Sequence, residues 1–533
     1  MQVSFPWLIE RNARHSPDQL AILCDGRQTT WADLARRCQA LAGGLAHLGV
    51  SKGGRVAFLG LNSDWFYECY FTPSFLGAEA VALNYRLAPA ELQICLEDSA
   101  AEVLIVDSAF ADQARAFVQD LAKPPQLIVI GCPAQAGEHD YEALIAAGHR
   151  CPDAASSGDD TLIIYYSGGT TGRPKGIMLS HTNMLANATG HTLAYKVDGD
   201  DTHLLIGPMF HLAAGARVFC AVYMGLTLVI MPKFTPRGFL QLIEAHQVNA
   251  TMFIPAMMQM VLDLPDFDEF DLSSLRQMSF GASAALEELL HRIIAAFPHV
   301  DISHGYGMTE AAPLISYLGP EYHRADFAEK GKLGAVGWPP RHVDIRVVDE
   351  DGQDVPQGIV GEVILRGPNV MKGYLNQPEL TAETLRGGWL HSGDAGYFDA
   401  DGCLWLSGRI KDMIISGGEN VYPGEVENVL SLHPAVADVA VIGVPHPKWG
   451  EAVHAIVVPI AGAAENTADL IAFCRQKIAA YKCPVDVTWR SSPLPLSGAN
   501  KVLKTELRKP FWEGATEPKR ANEEGAKKEE QTR

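Results

Sequence analysis

At 533 residues the chain exceeds what one hydrophobic core ordinarily serves, and its 47% apolar content supplies two or more folding units, which excludes a wholly disordered protein. A balance of 43 basic against 63 acidic residues, net −20, excludes a generic binder of nucleic acid or anionic membrane. Ten cysteines scattered from Cys24 to Cys483, with no CxxC pair and no zinc-like spacing, predict reduced thiols and a cytoplasmic location. The N-terminus has neither a basic n-region nor an apolar h-region, so no signal peptide is expected. The longest apolar run, 218–231, contains Gly225 and Thr227. It falls short of the roughly 20 residues that span a bilayer and reads as a buried helix end plus a strand.

From 21 to 107, helix-period segments alternate with short β-rich runs, as in a helix at 31–48 and a strand at 55–59. The rhythm returns further on, with strands at 203–206, 227–230 and 250–254 and helices at 236–247 and 255–263. Such alternation predicts α/β architecture, with two parallel α/β subdomains in a large N-terminal domain. From 334 to 408 the texture changes to short β runs, at 344–348, 361–366 and 403–406, separated by Gly, Pro and Asp. That pattern suggests a small antiparallel, β-barrel-like subdomain. A small, mobile α+β domain of about 100 residues is expected next. Its helices are placed at 423–432 and 468–480 and its strands at 436–444 and 452–459. The expected divisions are 1–408, a hinge at 409–411, a C-terminal domain at 412–512 and a disordered charged tail at 513–533.

The run Tyr166-Ser167-Gly168-Gly169-Thr170-Thr171-Gly172-Arg173-Pro174-Lys175-Gly176 has almost no side-chain bulk. Its glycines can take positive φ and let backbone approach an anion, its hydroxyls donate hydrogen bonds, and Lys175 adds a mobile cation. It follows the strand-like 162–165, and helix-like sequence resumes near Thr182, so it reads as a strand–loop–helix cradle for a polyphosphate. The spacing is not that of a GxxxxGK[ST] P-loop, and the bland alternative is a flexible surface loop. Downstream, His304-Gly305-Tyr306-Gly307-Met308-Thr309-Glu310 sets an aromatic ring three residues before a hydroxyl and four before a carboxylate. By themselves Tyr306 could be core and Glu310 a solvated helix start.

The run 166–176 resembles the phosphate loop of the adenylate-forming (AMP-binding) superfamily, which contains acyl-CoA synthetases, luciferases and the adenylation domains of peptide synthetases. The likeness extends over roughly residues 5–510, with further motifs in the family's order. Residues 304–310 resemble its YGxTE motif, which implies that Tyr306 packs on adenine, Thr309 bonds the α-phosphate and Glu310 holds Mg²⁺. Gly281-Ala282-Ser283 resembles the small-residue strand end against which the family lays adenine. Ser392-Gly393-Asp394 is similar to the ribose motif, with Asp394 as the acceptor. Gly408-Arg409-Ile410-Lys411-Asp412 resembles the domain junction, with Arg409 on ribose or phosphate and Lys411 at the hinge. The segment 494–504 resembles the C-terminal catalytic-lysine loop and implies that Lys501 acts on the α-phosphate, although Asn500 stands where the family has glycine. Ile415-Ser416-Gly417-Gly418-Glu419-Asn420 resembles the acyl-CoA synthetase version of a pantetheine-passing motif, and Trp449 is a candidate CoA contact.

Pro208-Met209-Phe210-His211-Leu212 discriminates among members. Amino-acid-activating relatives usually carry Asp shortly after the Phe, whereas acyl- and aryl-CoA synthetases commonly carry His, so His211 implies an acid without an α-amino group. The expected acid pocket comprises Phe210, His211, Met252, Pro255, Met257, Met258, Gly281, Gly305 and Met308, whose adaptable apolar lining suits a medium-chain aliphatic or small aryl acid. The resemblance thus implies an acid–CoA ligase using ATP, Mg²⁺ and CoA, with no nucleic acid and no membrane span, and with a homodimer left open. The alternatives are a ligase loading a separate carrier protein, a non-catalytic nucleotide-binding protein and a luciferase-type oxygenase.

Overall fold

The computed structural model describes residues 3–152, 154–167, 174–281, 287–324, 331–496 and 502–513. The chain divides into two compact units, one of Met1–Ala284, Arg292–Ile345 and Leu365–Leu390, the other of Ala285–His291, Arg346–Ile364 and His391–Arg533.

The first unit holds two eight-stranded sheets. One runs, edge to edge, Leu314–Leu318, Asp301–Gly307, Gln277–Gly281, Ala250–Phe253, Thr202–Leu205, Thr227–Ile230, Leu20–Cys24 and Arg27–Thr30. It is parallel except for the antiparallel strand at each edge. The other is built around Arg55–Leu59, Glu79–Ala82 and Thr161–Ser167, is parallel through its middle, and ends in the antiparallel strands Lys175–Ser180 and Gly373–Tyr374. The apolar runs at 55–59 and 227–230 form strands over those residues, because both faces of such a sheet are covered and alternation is not required. The helices that cover them are conventionally capped. Thr30 Oγ1 accepts from the Asp33 N–H at 3.1 Å to start Trp31–His47, whose Leu34, Cys38, Leu41 and Leu45 are buried along one face.

Three of the buried histidines of this unit, His181, His304 and His323, are kept neutral by their surroundings. His181 Nδ1 accepts from the Phe5 N–H at 3.3 Å while Nε2 lies 2.9 Å from Ser156 Oγ, so a proton on Nδ1 would face another donor. His304 stacks on Phe280 at 4.4 Å, and His323 meets the same ring edge-on at 5.5 Å. Burial lowers each from 6.5 to about 4. The unfolded chain therefore binds more protons than the fold between these values, so this stability is complete above pH 6.5 and is lost as pH falls. Each histidine is expected to remove about 2 kcal/mol between pH 7.5 and 5. Urea midpoints at the two pH values check this; the drop should shrink in His323→Phe, and an equal drop in that variant would refute its share.

The second unit contains most of a four-stranded sheet ordered Asp344–Val348, Gly361–Arg366, Leu390–Phe398, Leu404–Arg409, and a five-stranded sheet centred on the hairpin of Val436–His446 and Gly450–Pro459. Helices Pro423–Ser431 and Thr467–Arg475 enclose its core of Ile414, Val426, Leu430, Val441 and Leu470. The helix expected at 468–480 stops at Arg475, where the buried repeat that ends with Cys474 gives way to solvated Gln476 and Lys477. The tail expected at 513–533 lies outside the described residues beyond Glu513. No disulfide links any of the ten cysteines, and among the described residues no helix is long and apolar enough to cross a membrane.

Candidate active site

Parallel strands that end side by side create the first unit's site. Phe253 pairs with Phe280, Phe280 with His304, and Gly281 with Gly305, so two strands end beside a third that runs on to Gly307, the kind of position where open α/β sheets bind ligands. The glycines there are a packing requirement, since a Cβ on Gly281 would stand 2.4 Å from the Gly305 carbonyl oxygen. Beyond them the chain enters a short 3₁₀ turn, Thr309–Ala311, which carries Thr309 and Glu310. Met308 is extended and donates its N–H to the Pro313 oxygen at 3.1 Å. Asn369 Nδ2 donates to the Ala311 oxygen at 2.9 Å, and the Met371 N–H donates to the Glu310 oxygen at 2.8 Å, holding the turn from a distant segment.

That segment also supplies Tyr374, whose hydroxyl donates to Glu310 Oε1 at 2.9 Å. Lys175 Nζ lies 5.6 Å from the centre of the same ring. Glu310 and Lys175, more than a hundred residues apart, thus share one aromatic neighbour. Lys175 pairs across the hairpin with Ser167. Gly168, Gly169, Thr170, Thr171 and Gly172 lie outside the described residues, as do Ala282 and Ser283. The run does not lead from strand straight to helix as expected: it connects two antiparallel strands, Thr161–Ser167 and Lys175–Ser180, and the helix expected near Thr182 begins at His181, after the second strand. A short apolar stretch such as Ile177-Met178-Leu179 is compatible with either element until its partner is known.

A cavity of about 70 Å³ opens at these strand ends. Of the residues expected around the acid, Met252, Gly281 and Gly305 line it, together with Tyr306, which is 9% exposed. Phe210, His211, Pro255, Met257, Met258 and Met308 are not in its lining. Phe210 is buried edge-on against Tyr85 at 4.9 Å with the His211 ring 4.6 Å away, and His211 immediately precedes helix Leu212–Met224. Pro255 and Met258 are buried in helix Pro255–Leu262. Sequence reasoning missed Asn187, Tyr195 and Arg217, which enter the lining from two helices. The available signal was Arg217 itself, the one charged residue in the otherwise apolar Leu212–Met224.

In the second unit, Asp394 and Arg409 pair across adjacent strands, with Arg409 Nε 2.8 Å from Asp394 Oδ1 and its Nη1 3.0 Å from the Ser392 oxygen. Lys411 is exposed in the 3₁₀ turn Ile410–Asp412. Gly417 and Gly418, with φ of 63° and 89°, form the two-residue turn between strands Ile414–Ser416 and Glu419–Val421, a hairpin geometry that disfavours any side chain at both positions. The Gly417 N–H donates to the Trp449 oxygen at 2.9 Å, and the half-exposed Trp449 ring stacks on His446 at 4.2 Å. Lys501 lies outside the described residues. Among the described residues no three His, Cys, Asp or Glu side chains converge as a metal cage. Mg²⁺ on a single carboxylate is ordinarily completed by phosphate oxygens and water.

Comparison with known proteins gives consistent matches. The family model described as AMP-binding enzyme matches residues 9–375, and that of the AMP-binding enzyme C-terminal domain matches 425–501. A feruloyl-CoA synthase of Amycolatopsis sp is 40% identical over 94% of this chain and 98% of its own. An indoleacetate–CoA ligase of Aromatoleum aromaticum is 36% identical over 94% and 96%. Among solved structures, the anthranilate CoA ligase AuaEII in complex with anthranoyl-AMP is 29% identical, with a TM-score of 0.87 over 96% of this chain and 98% of that one.

Proposed function

We propose that this chain, which belongs to the AMP-binding enzyme family, is an ATP-dependent acid–CoA ligase for a small aryl acid. The observation that carries the reading is the continuity of one strand end, Gly305 to Gly307, with both the cavity and the turn of Thr309 and Glu310. An acid in the cavity then meets nucleotide phosphate at the turn. The relatives named for feruloyl, indoleacetyl and anthraniloyl substrates favour the aryl over the aliphatic alternative.

In the first half-reaction a carboxylate oxygen attacks the α-phosphorus and the bond to the β-phosphate breaks, releasing pyrophosphate and leaving an acyl-AMP. Tyr306 packs on adenine beside Gly281, Ala282 and Ser283. Asp394 accepts from the ribose hydroxyls with Arg409 beside it, and Thr309 bonds the α-phosphate. Ser167, Gly168, Gly169, Thr170, Thr171, Gly172 and Lys175 hold the β- and γ-phosphates. Glu310 is the carboxylate suited to Mg²⁺, which would offset phosphate charge. Lys501 stabilises the charge that gathers as the carboxylate attacks. Phe210 and His211 border the acid's approach, and Met252, Pro255, Met258, Gly305 and Met308 shape its surroundings.

In the second half-reaction the CoA thiolate attacks the acyl carbon and AMP leaves. In this reading the sequence divisions 1–408 and 412–512 are joined at a hinge on Lys411 and serve the two steps in turn. Gly417 and Gly418 offer the thin passage a pantetheine arm needs, and Trp449 offers it a flat apolar contact.

An AMP-release screen over aliphatic and aryl acids tests this, offering CoA and a holo-carrier protein separately. Acid- and CoA-dependent AMP release, highest with aryl acids, is the expected result. Release only with the carrier would reassign the chain to carrier loading. ATP binding with no acid-dependent pyrophosphate would leave a non-catalytic nucleotide-binding protein.

A further inference from the structure

Arg217 sits in the middle of helix Leu212–Met224, is 6% exposed, and lines the cavity. Its Nη2 donates to Ser279 Oγ at 2.5 Å, while its Nε–H is buried with no hydrogen-bond partner. The groups facing it are neutral at physiological pH: Tyr195, Cys220, His191 and His203, the histidines being held uncharged by burial. No carboxylate pairs with it among the described residues. An isolated buried guanidinium is costly, because it loses hydration and regains only part of it in hydrogen bonds.

The polar groups beside it are also short of partners. Asn187 lines the same cavity at 1% exposed, and its Oδ1 accepts from the Leu314 N–H at 3.1 Å, which fixes the amide and leaves Nδ2 a buried donor with no partner. His191 Nδ1, also on the lining, is unpartnered. Two residues of the cavity lining therefore each carry a buried N–H that lacks an acceptor. Their position is deep. Ser279, which Arg217 holds, lies two residues before Gly281 on the strand, roughly 7 Å back from the strand end at 3.3 Å per residue.

The geometry points to an acid substrate that carries, at the end remote from its reacting carboxyl, an oxygen acceptor received by Arg217 and Asn187, a second carboxylate being the strongest fit. This rests on the ligase reading, since it takes the carboxyl at the Thr309 turn to be the reacting one. Arg217 is then a specificity-determining residue: guanidinium binds carboxylate with charge-assisted hydrogen bonds, and the dry surroundings strengthen them. A site built for such a group also rejects an analogue that lacks it, because the donors stay unpaired.

Matched acids test this, with para-carboxylate, para-hydroxyl and para-methyl on benzoate and cinnamate frames, read by ATP–pyrophosphate exchange and by thermal shift. The wild type is expected to prefer carboxylate over methyl at least tenfold in kcat/KM on the frame that fits, with hydroxyl between them. Arg217→Met should cost the carboxylate acid at least a hundredfold and raise activity on the methyl acid, while its ligand-free melting temperature is equal or higher. Equal or greater wild-type activity on the methyl acid overturns the inference and leaves the ligase reading standing; it is also the result expected if a water satisfies these donors. A lower melting temperature with all three acids equally impaired makes Arg217 structural, which overturns it too. If no acid supports exchange, the ligase reading fails. The pocket assignment then survives only if carboxylate-ended acids stabilise the wild type and not Arg217→Met.

Discussion

Lys501→Ala is expected to lower acyl-AMP formation by a factor of about 10²–10³ while thiolysis of supplied acyl-AMP by CoA stays within a few-fold of wild type. The factor corresponds to the roughly 2.7–4 kcal/mol typical of removing one group that stabilises charge developing in a transition state. The α-phosphoryl group gathers negative charge as the carboxylate adds, so a point cation binds that state more tightly than ATP, and its loss appears in kcat rather than in KM. Thiolysis makes no such demand. Residues 497–501 lie outside the described part of the chain, yet the segment is closed on both sides: Leu496 bridges Val502, and the Leu503 N–H donates to the Pro495 oxygen at 2.8 Å. Asn enters left-handed backbone more readily than most residues, so Asn500 in place of the family's glycine is expected to be tolerated. Asn500→Gly should accordingly change adenylation little. Pyrophosphate release with the preferred acid, set beside thiolysis of synthetic acyl-AMP, separates the two steps. Wild-type adenylation by the alanine variant would remove Lys501 from the reaction.

How far the sequence could be read follows from which interactions are local. The strands at 344–348 and 361–366 have their expected bounds because β-branched, apolar runs flanked by Gly, Pro and Asp admit few other conformations. The strand Lys175–Ser180 was hidden because its evidence is non-local: it is defined by pairing with Thr161–Ser167 and Gly373–Tyr374. The same division applies at the site. Tyr306, Thr309 and Glu310 stand in one run of sequence, and so do Gly417 and Gly418, so a local motif and its resemblance to the family can nominate them. Tyr374 and Arg217 reach the site through sheet register and helix packing across long stretches of chain, and no local pattern announces such convergence. An arginine in an apolar helix is a visible anomaly, but only the fold says what it faces.

Replacing Glu310 by glutamine should reduce adenylation by a factor of about 10²–10³ and raise the Mg²⁺ concentration needed for half-maximal rate at least tenfold. Glutamine keeps the shape and one acceptor oxygen but removes the charge, and a hard cation held by a single protein carboxylate depends on that charge. Tyr374→Phe provides the contrast. It deletes the 2.9 Å hydrogen bond to Glu310 Oε1 yet leaves the carboxylate and the backbone bond from Met371 to the Glu310 oxygen in place. A hydrogen bond to a charged group is worth about 1.5–3 kcal/mol, part of which the freed oxygen recovers from water or the cation, so a loss of about tenfold is expected. Lys175 keeps the face of the aromatic ring in this variant, so the role proposed for it on phosphate should not change. Pyrophosphate exchange measured against Mg²⁺ concentration in both variants distinguishes these roles. If Glu310→Gln saturates at the wild-type Mg²⁺ concentration, the carboxylate orients Tyr374 and the turn, and the cation is held elsewhere.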